Sequence, residues 1–130
     1  MSLENKIYGK ISDTTIKKVF SLEEANDLLP LIYRITDEVH KKVKKMIHRI
    51  EALQGSNKIL ITEIEAEINL ELNRWQNKLS RLGAVPKGMW LADFDHGDGY
   101  YCWKFPETKI QYVHGYKDGF TGRMEIHQQQ

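Results

Sequence analysis

Five residues carry side chains whose chemistry could converge: Asp93, Tyr101, Glu107, His114 and Arg123. Carboxylate and imidazole groups can move protons or ligate a metal, and a guanidinium can hold an anion. Strand phasing links them. With Gly97 at the centre of one turn and Glu107–Thr108 at the centre of the next, Asp93 falls opposite Tyr101 and Tyr101 opposite His114. One sheet face then reads Met89/Phe105/Ile110, Leu91/Trp103/Tyr112 and Asp93/Tyr101/His114. The two apolar rows are expected to cover helices, with the polar row at their margin. Asp93 and His114 would be two strands apart, roughly 10 Å between backbones, a gap that two side chains and a water, a metal or a small ligand can span. Arg123, arriving from a glycine-rich loop, could add an anion contact. Such a row is more often a hydrogen-bonded lid on a core than a site, and a one-residue slip of register would move it to the other face. On the residues alone no catalytic group, metal or cofactor is assigned.

The elements that must position this row are legible in outline. Phe20-Ser21-Leu22-Glu23-Glu24-Ala25 has the form of a capping box, with Ser21 and Glu24 as its partners and Phe20 and Ala25 placed for a hydrophobic staple. Pro30 predicts a kink or a restart soon after. Leu28, Ile32, Ile35, Val39, Val43, Met46, Ile50 and Leu53 then recur at steps of three and four. Turn residues 54–57 break the pattern. A second series runs through Ile61, Ile64, Ile68, Leu72, Trp75, Leu79 and Leu82 to Gly83. Both series describe amphipathic helices with a narrow, coiled-coil-like seam, each on the order of 35 Å long, and a short loop requires them to pack antiparallel. With the turn near Ser56, positions summing to about 112 face each other. Lys41, Lys42, Lys45 and Arg49 then lie beside Glu71, Glu67 and Glu63, and Asp37 and Glu38 beside Arg74 and Lys78.

After residue 88 the period drops to two. Met89–Phe94, Tyr100–Phe105 and Ile110–His114 read as strands, with a further short one possible at Met124–Ile126. The expected fold is α+β: a long antiparallel helical hairpin followed by a small three-stranded antiparallel β-meander. It forms one domain over 1–130, with an N-terminal arm at 1–19, the hairpin at 21–83 and the β-unit with its C-terminal loop at 88–127.

Composition excludes several functions. Nineteen basic and eighteen acidic residues leave +1, which gives no pull toward a polyanion or a membrane surface. There is no apolar run of membrane-spanning length and no apolar leader, and a single cysteine fits a reducing compartment, so a cytoplasmic location is expected. Asp93–Gly99 fails as a calcium loop, because its sixth position is Asp98 and its twelfth is Lys104. Gly115, Gly119 and Gly122 form no phosphate loop. Cys102, mid-strand beside Trp103, reads as a buried structural thiol, and Trp75, Trp90 and Trp103 read as core anchors.

Several motifs together give a family resemblance: Phe20-Ser21-Leu22-Glu23-Glu24-Ala25-Asn26, Leu28-Leu29-Pro30, Leu82-Gly83, Asp93-Phe94, Asp98-Gly99, Cys102-Trp103, Glu107, His114, Gly119-Phe120 and Gly122-Arg123. Through them the chain resembles, over about residues 19–127, the short prokaryotic proteins grouped as domain of unknown function family 2203. Some of these carry a loose division initiation protein label. The family pattern has Asp-Phe-Pro where this chain has Asp93-Phe94-Asp95, Gly-Glu in place of Pro106-Glu107, and an aromatic in place of Val113. The resemblance implies an α+β fold of this kind and no established activity.

Three functional readings follow, in order. The first is a non-enzymatic interaction or assembly module, in which a homodimer buries Tyr33, Ile47, Ile59, Leu60 and Leu70, which lie off the main seam. The second is a small-ligand or metal-dependent enzyme using Asp93, Glu107, His114 and Arg123. The third is nucleic-acid binding through the basic stretch 40–49, where charge pairing along the hairpin is the simpler explanation.

Overall fold

A computed structural model describes residues 18–126; most of the 1–19 arm, and His127 at the end of the β-unit, lie outside the described residues. Ser21 starts helix α1 as read. Its hydroxyl accepts from the Glu24 amide at 3.1 Å, and the Glu24 carboxylate accepts from the Ser21 amide at 2.9 Å. This reciprocal pair satisfies two amide groups that a helix start would otherwise leave bare. α1 then runs unbroken over Leu22–Leu53 with Pro30 inside it, so there is no restart at the proline.

Gln54, Gly55 and Asn57 all take positive φ and reverse the chain within four residues. The Asn57 side chain caps helix α2, Lys58–Arg81, by accepting from the Leu60 amide. The two helices touch where the turn predicts. The Trp75 indole N–H donates to Thr36 Oγ at 2.8 Å, and both residues are fully buried. These positions sum to within one of the expected 112, which a parallel pair joined by so short a turn could not achieve. The charges pair differently from expectation. Among the described residues, the helix ion pairs are Lys41–Asp37 and Arg74–Glu71, each within one helix. Side chains three or four residues apart on one helix are neighbours at 5–6 Å between Cβ atoms, closer than flanks facing across two helix axes about 8–10 Å apart.

The sheet has five antiparallel strands where three were expected, in the order β1 (Val85–Gly88), β2 (Leu91–Asp95), β3 (Tyr100–Lys104), β4 (Tyr112–His114) and β5 (Met124–Glu125). The β-unit therefore begins at Val85, before the expected residue 88. β1 escaped notice because Pro86 and Gly88 argue against a strand; both are tolerated here on an edge with an irregular register.

Register is the main correction. The first loop places Asp95 opposite Tyr100, which sets Asp93 against Cys102 and Ala92 against Trp103, one residue away from the expected pairing. A local device fixes it: Asp95 Oδ1 accepts from the Gly97 amide at 2.9 Å, and His96 N–H bonds Gly99 O at 2.9 Å, closing a four-residue loop. β3 and β4 are also offset by one, with Cys102 opposite Tyr112 and Tyr100 opposite His114. Each slip flips β3 relative to a neighbour. Relative to the helices, β3 keeps the expected side, with Trp103 and Tyr101 against them, whereas β2 and β4 turn over, so Asp93 and His114 lie on the face away from the helices rather than at the margin of the covered one.

The helix side of the sheet carries Ala92, Phe94 and Trp103, which join Phe20, Leu29, Ile32, Val39, Trp75 and Leu79 in the core, with Tyr101 packed against them. Phe20 meets Phe94 edge to face at 5.3 Å between centroids. Alternation along the strands sends Asp93, Cys102 and His114 to the opposite face.

Candidate functional site: a buried Asp–Cys–His cluster behind the sheet

Three adjacent strands supply the cluster: Asp93 from β2, Cys102 from β3 and His114 from β4. All three are buried. Among the described residues, they bring one potential ligand atom each to within 4.8 Å of one another. His114 Nε2 lies 3.1 Å from Asp93 Oδ2, and both side chains are no more than 4% exposed.

The other ring nitrogen settles where one proton sits. His114 Nδ1 is 2.8 Å from the Gly115 carbonyl oxygen, which can only accept, so Nδ1 carries a hydrogen. Nε2 then faces the carboxylate with a contact that is a hydrogen bond only if a further proton lies between them. With such a proton in place the pair would be either imidazolium with carboxylate or imidazole with carboxylic acid. Burial pushes the Asp93 carboxyl up from its usual range, while His114, Lys87 and a hydrogen bond from Cys102 oppose that rise. Burial and the Asp93 carboxylate together push the Cys102 thiol up to about 12, with Arg123 acting against them. Cys102 is therefore a protonated thiol in this environment and no thiolate nucleophile.

The cluster borders a cavity of about 220 Å³ lined by Lys87, Leu91, Tyr116, Asp118, Gly119 and Phe120 as well as by the three residues themselves. Its outer wall is the segment after β4. Tyr116 donates to Asp95 Oδ1 at 2.7 Å and stacks edge to face on Tyr100, and the Asp118 carboxylate accepts from the Gly115 amide at 3.3 Å. A single helical turn at Phe120–Gly122 then leads to Arg123.

Of the five residues read from the sequence, Asp93 and His114 meet. Tyr101 does not join them: it lies on the helix side of β3, stacked 4.8 Å from His96. Glu107 and Arg123 pair with each other, Arg123 Nη2 to Glu107 Oε2 at 2.9 Å and Nη1 to Oε1 at 3.2 Å. Glu107 also accepts from the Lys104 amide, and its carbonyl accepts from the Trp103 indole. The guanidinium lies over the rings of Tyr112 at 3.9 Å and Phe120 at 4.3 Å, and also reaches the Cys102 sulfur. Arg123 thus holds the segment after β4 onto the sheet and touches the cluster from behind. Neither it nor Glu107 lines the cavity wall. Cys102 is the member that sequence reasoning missed as part of a site. Its position beside Trp103 gave only a buried thiol, and the register that sets it between Asp93 and His114 depends on loop geometry.

Among the described residues, no buried side-chain nitrogen or oxygen lacks a hydrogen-bond partner. The cluster is internally satisfied, so the fold can form it without help, and the cavity beside it is the feature that core packing does not require. No helix of the described residues is long and apolar enough to cross a membrane.

Neither a curated protein nor a solved structure matches the chain. One family model does, over residues 18–126, which takes in both helices and all five strands. The chain belongs to the family described as uncharacterized conserved protein DUF2203.

Proposed function

We propose that the domain binds a small polar ligand in the cavity behind its sheet, with the Asp93–His114 pair as the wall that recognises it. One observation carries this reading: the buried Asp93–His114 pair forms part of the wall of a cavity of about 220 Å³. A pair that merely closed a core would need no cavity at its side, whereas a ligand needs concave volume with a few convergent polar groups. At about 220 Å³ the cavity is below the ~300–1,000 Å³ of sites for drug-sized molecules, which sets the ligand at the size of a metabolite of a few carbons. Lys87 and Asp118 offer it opposite charges, Tyr116 and Phe120 offer it rings, and the pair can give or take a proton.

The test is a thermal-shift screen of the full chain in chelator, using small carboxylates, amines and phosphates, followed by imidazole resonances in NMR. A hit should raise the melting temperature of the wild type, move the His114 signals, and lose both effects in His114→Gln. Silence across the whole set in both measurements overturns the reading.

A separate observation favours assembly through the helices. The buried residues of α1 end at Val43, and those of α2 begin at Ile64. Along the two helices, Ile47, Ile59 and Leu70 are 39%, 76% and 50% exposed. Tyr33, expected to be available, instead packs on Phe105 at 5.1 Å, and Leu60 is half-buried. A second copy laid along the hairpin would form a four-helix arrangement and cover exposed apolar side chains of this kind. Sedimentation equilibrium should find a dimer that Ile59→Lys with Leu70→Lys dissociates. A strict monomer at high concentration removes this second reading.

A further inference from the structure

The geometry points to Asp93, Cys102 and His114 as the three protein ligands of a divalent late first-row transition metal of the zinc class, with a fourth position facing the cavity. This deepens the ligand-site reading above and rests on the cluster being a site at all.

The donor set selects the class of ion. One carboxylate oxygen, one sulfur and one imidazole nitrogen suit zinc, cobalt or ferrous iron. Calcium and magnesium take oxygen donors, and sulfur is wasted on them. The spacing fits. Zinc bonds of about 2.0–2.3 Å at tetrahedral angles separate their ligand atoms by roughly 3.3–3.6 Å. Here one pair stands at 3.1 Å and no pair exceeds 4.8 Å, so the widest must close by at most about 1.5 Å, within the reach of side-chain rotation. The three residues come from adjacent strands of one sheet, which is a rigid frame for such a set.

The surroundings match a ligand set in two further ways. His114 already spends Nδ1 on the Gly115 carbonyl, which fixes the ring and aims Nε2 inward, the arrangement that orients metal-bound histidines. Charge also balances. A carboxylate, a thiolate and a neutral imidazole around a divalent ion sum to zero, the one total that a buried site holds at little cost. Arg123, which also reaches the sulfur, has its own charge met by Glu107 and so leaves that balance in place. Three protein ligands with one position facing a cavity is the form of a site that exchanges water for a substrate, whereas a closed structural centre has four protein ligands.

Cobalt is the probe. Full-length protein stripped with chelator and titrated with Co2+ should bind one ion per chain and show tetrahedral d–d bands together with a sulfur-to-cobalt charge-transfer band. Added Zn2+ should abolish both. Cys102→Ser should lose the charge-transfer band, and His114→Gln should weaken binding by at least about 10–100-fold, the loss seen when only a supporting hydrogen bond is removed. Because a buried variant can fail to fold, X-ray absorption at the zinc edge of the wild-type protein gives a second readout, expecting one sulfur with nitrogen and oxygen donors. Absence of the charge-transfer band in the wild type, its persistence in Cys102→Ser, or an edge spectrum without sulfur overturns the metal assignment. If cobalt fails while the chelated protein still binds a small molecule at His114, the metal assignment falls and the ligand site stands. If neither binds, both fall and the cluster is a structural network.

Discussion

Replacing His114 by Leu tests whether the buried pair is ionised. The imidazole is the nearest partner of Asp93, whose side chain is 3% exposed, and Leu fills similar space with no donor. At pH 7, without metal, the carboxylate would be left with the Cys102 thiol and the more distant Lys87. Breaking a buried pair from one side costs about 3–5 kcal/mol, because the surviving charge is uncompensated. Domains of this size have about 5–15 kcal/mol in total. At roughly 4 °C per kcal/mol, the melting temperature should fall by about 12–20 °C. Asp93→Asn alone should cost only about 1 kcal/mol, since an amide can donate to Nε2. Combining Asp93→Asn with His114→Leu should recover at least about 1–2 kcal/mol of the single loss, as no charge is then buried. The pH dependence has a definite sign. Asp93 has a folded pKa raised above 3.8, so its stability is fully present below about that pH and is lost as pH rises through the folded value. The deficit of His114→Leu against wild type should therefore shrink from about pH 8 toward about pH 4. Urea titrations of the four proteins across that range provide the assay. A deficit that is flat with pH and equal in the single and double variants would refute the shared-proton account.

Other outcomes follow from single contacts. Thr36→Val keeps the volume but orphans the buried Trp75 indole N–H, and should cost about 1–3 kcal/mol in urea unfolding; no loss would mean that the helices do not meet there. Glu24 has its pKa lowered chiefly by the Ser21 backbone hydrogen bond, so its stabilisation is present above pH 4.5 and fades as pH falls through the folded value. Glu24→Gln should accordingly show a shallower acid limb than wild type. In Gly99→Ala the new Cβ would meet the His114 carbonyl oxygen at 2.8 Å, so overpacking of about 1–3 kcal/mol and shifted His114 resonances are expected. The thiol of Cys102, buried and pushed up to about 12, should stay inert to thiol reagents in the folded chain at about pH 8 and react fully on unfolding.

The helical half of this protein was determined by the sequence itself. The Ser21–Glu24 box, the turn at 54–57 and the three-and-four spacing of apolar residues each act within a few positions, so local pattern suffices to place both helices and their fold-back, whereas the buried bond from Trp75 to Thr36 is a tertiary contact. Asp93 and His114 were legible for a related reason: strand alternation puts both on one face, and two opposite slips leave that shared facing unchanged. What fills the space between them was a tertiary decision. The Asx turn at Asp95 and the close of the 96–99 loop offset β2 from β3 by a single residue, and β4 is offset likewise, which turns Asp93 and His114 away from the helices and onto the face of Cys102 instead of Tyr101. The pairing of Glu107 with Arg123 likewise depends on a segment that returns across the sheet from sixteen residues away. A period of two makes a one-residue offset decide every side chain's face, and loop geometry sets that offset.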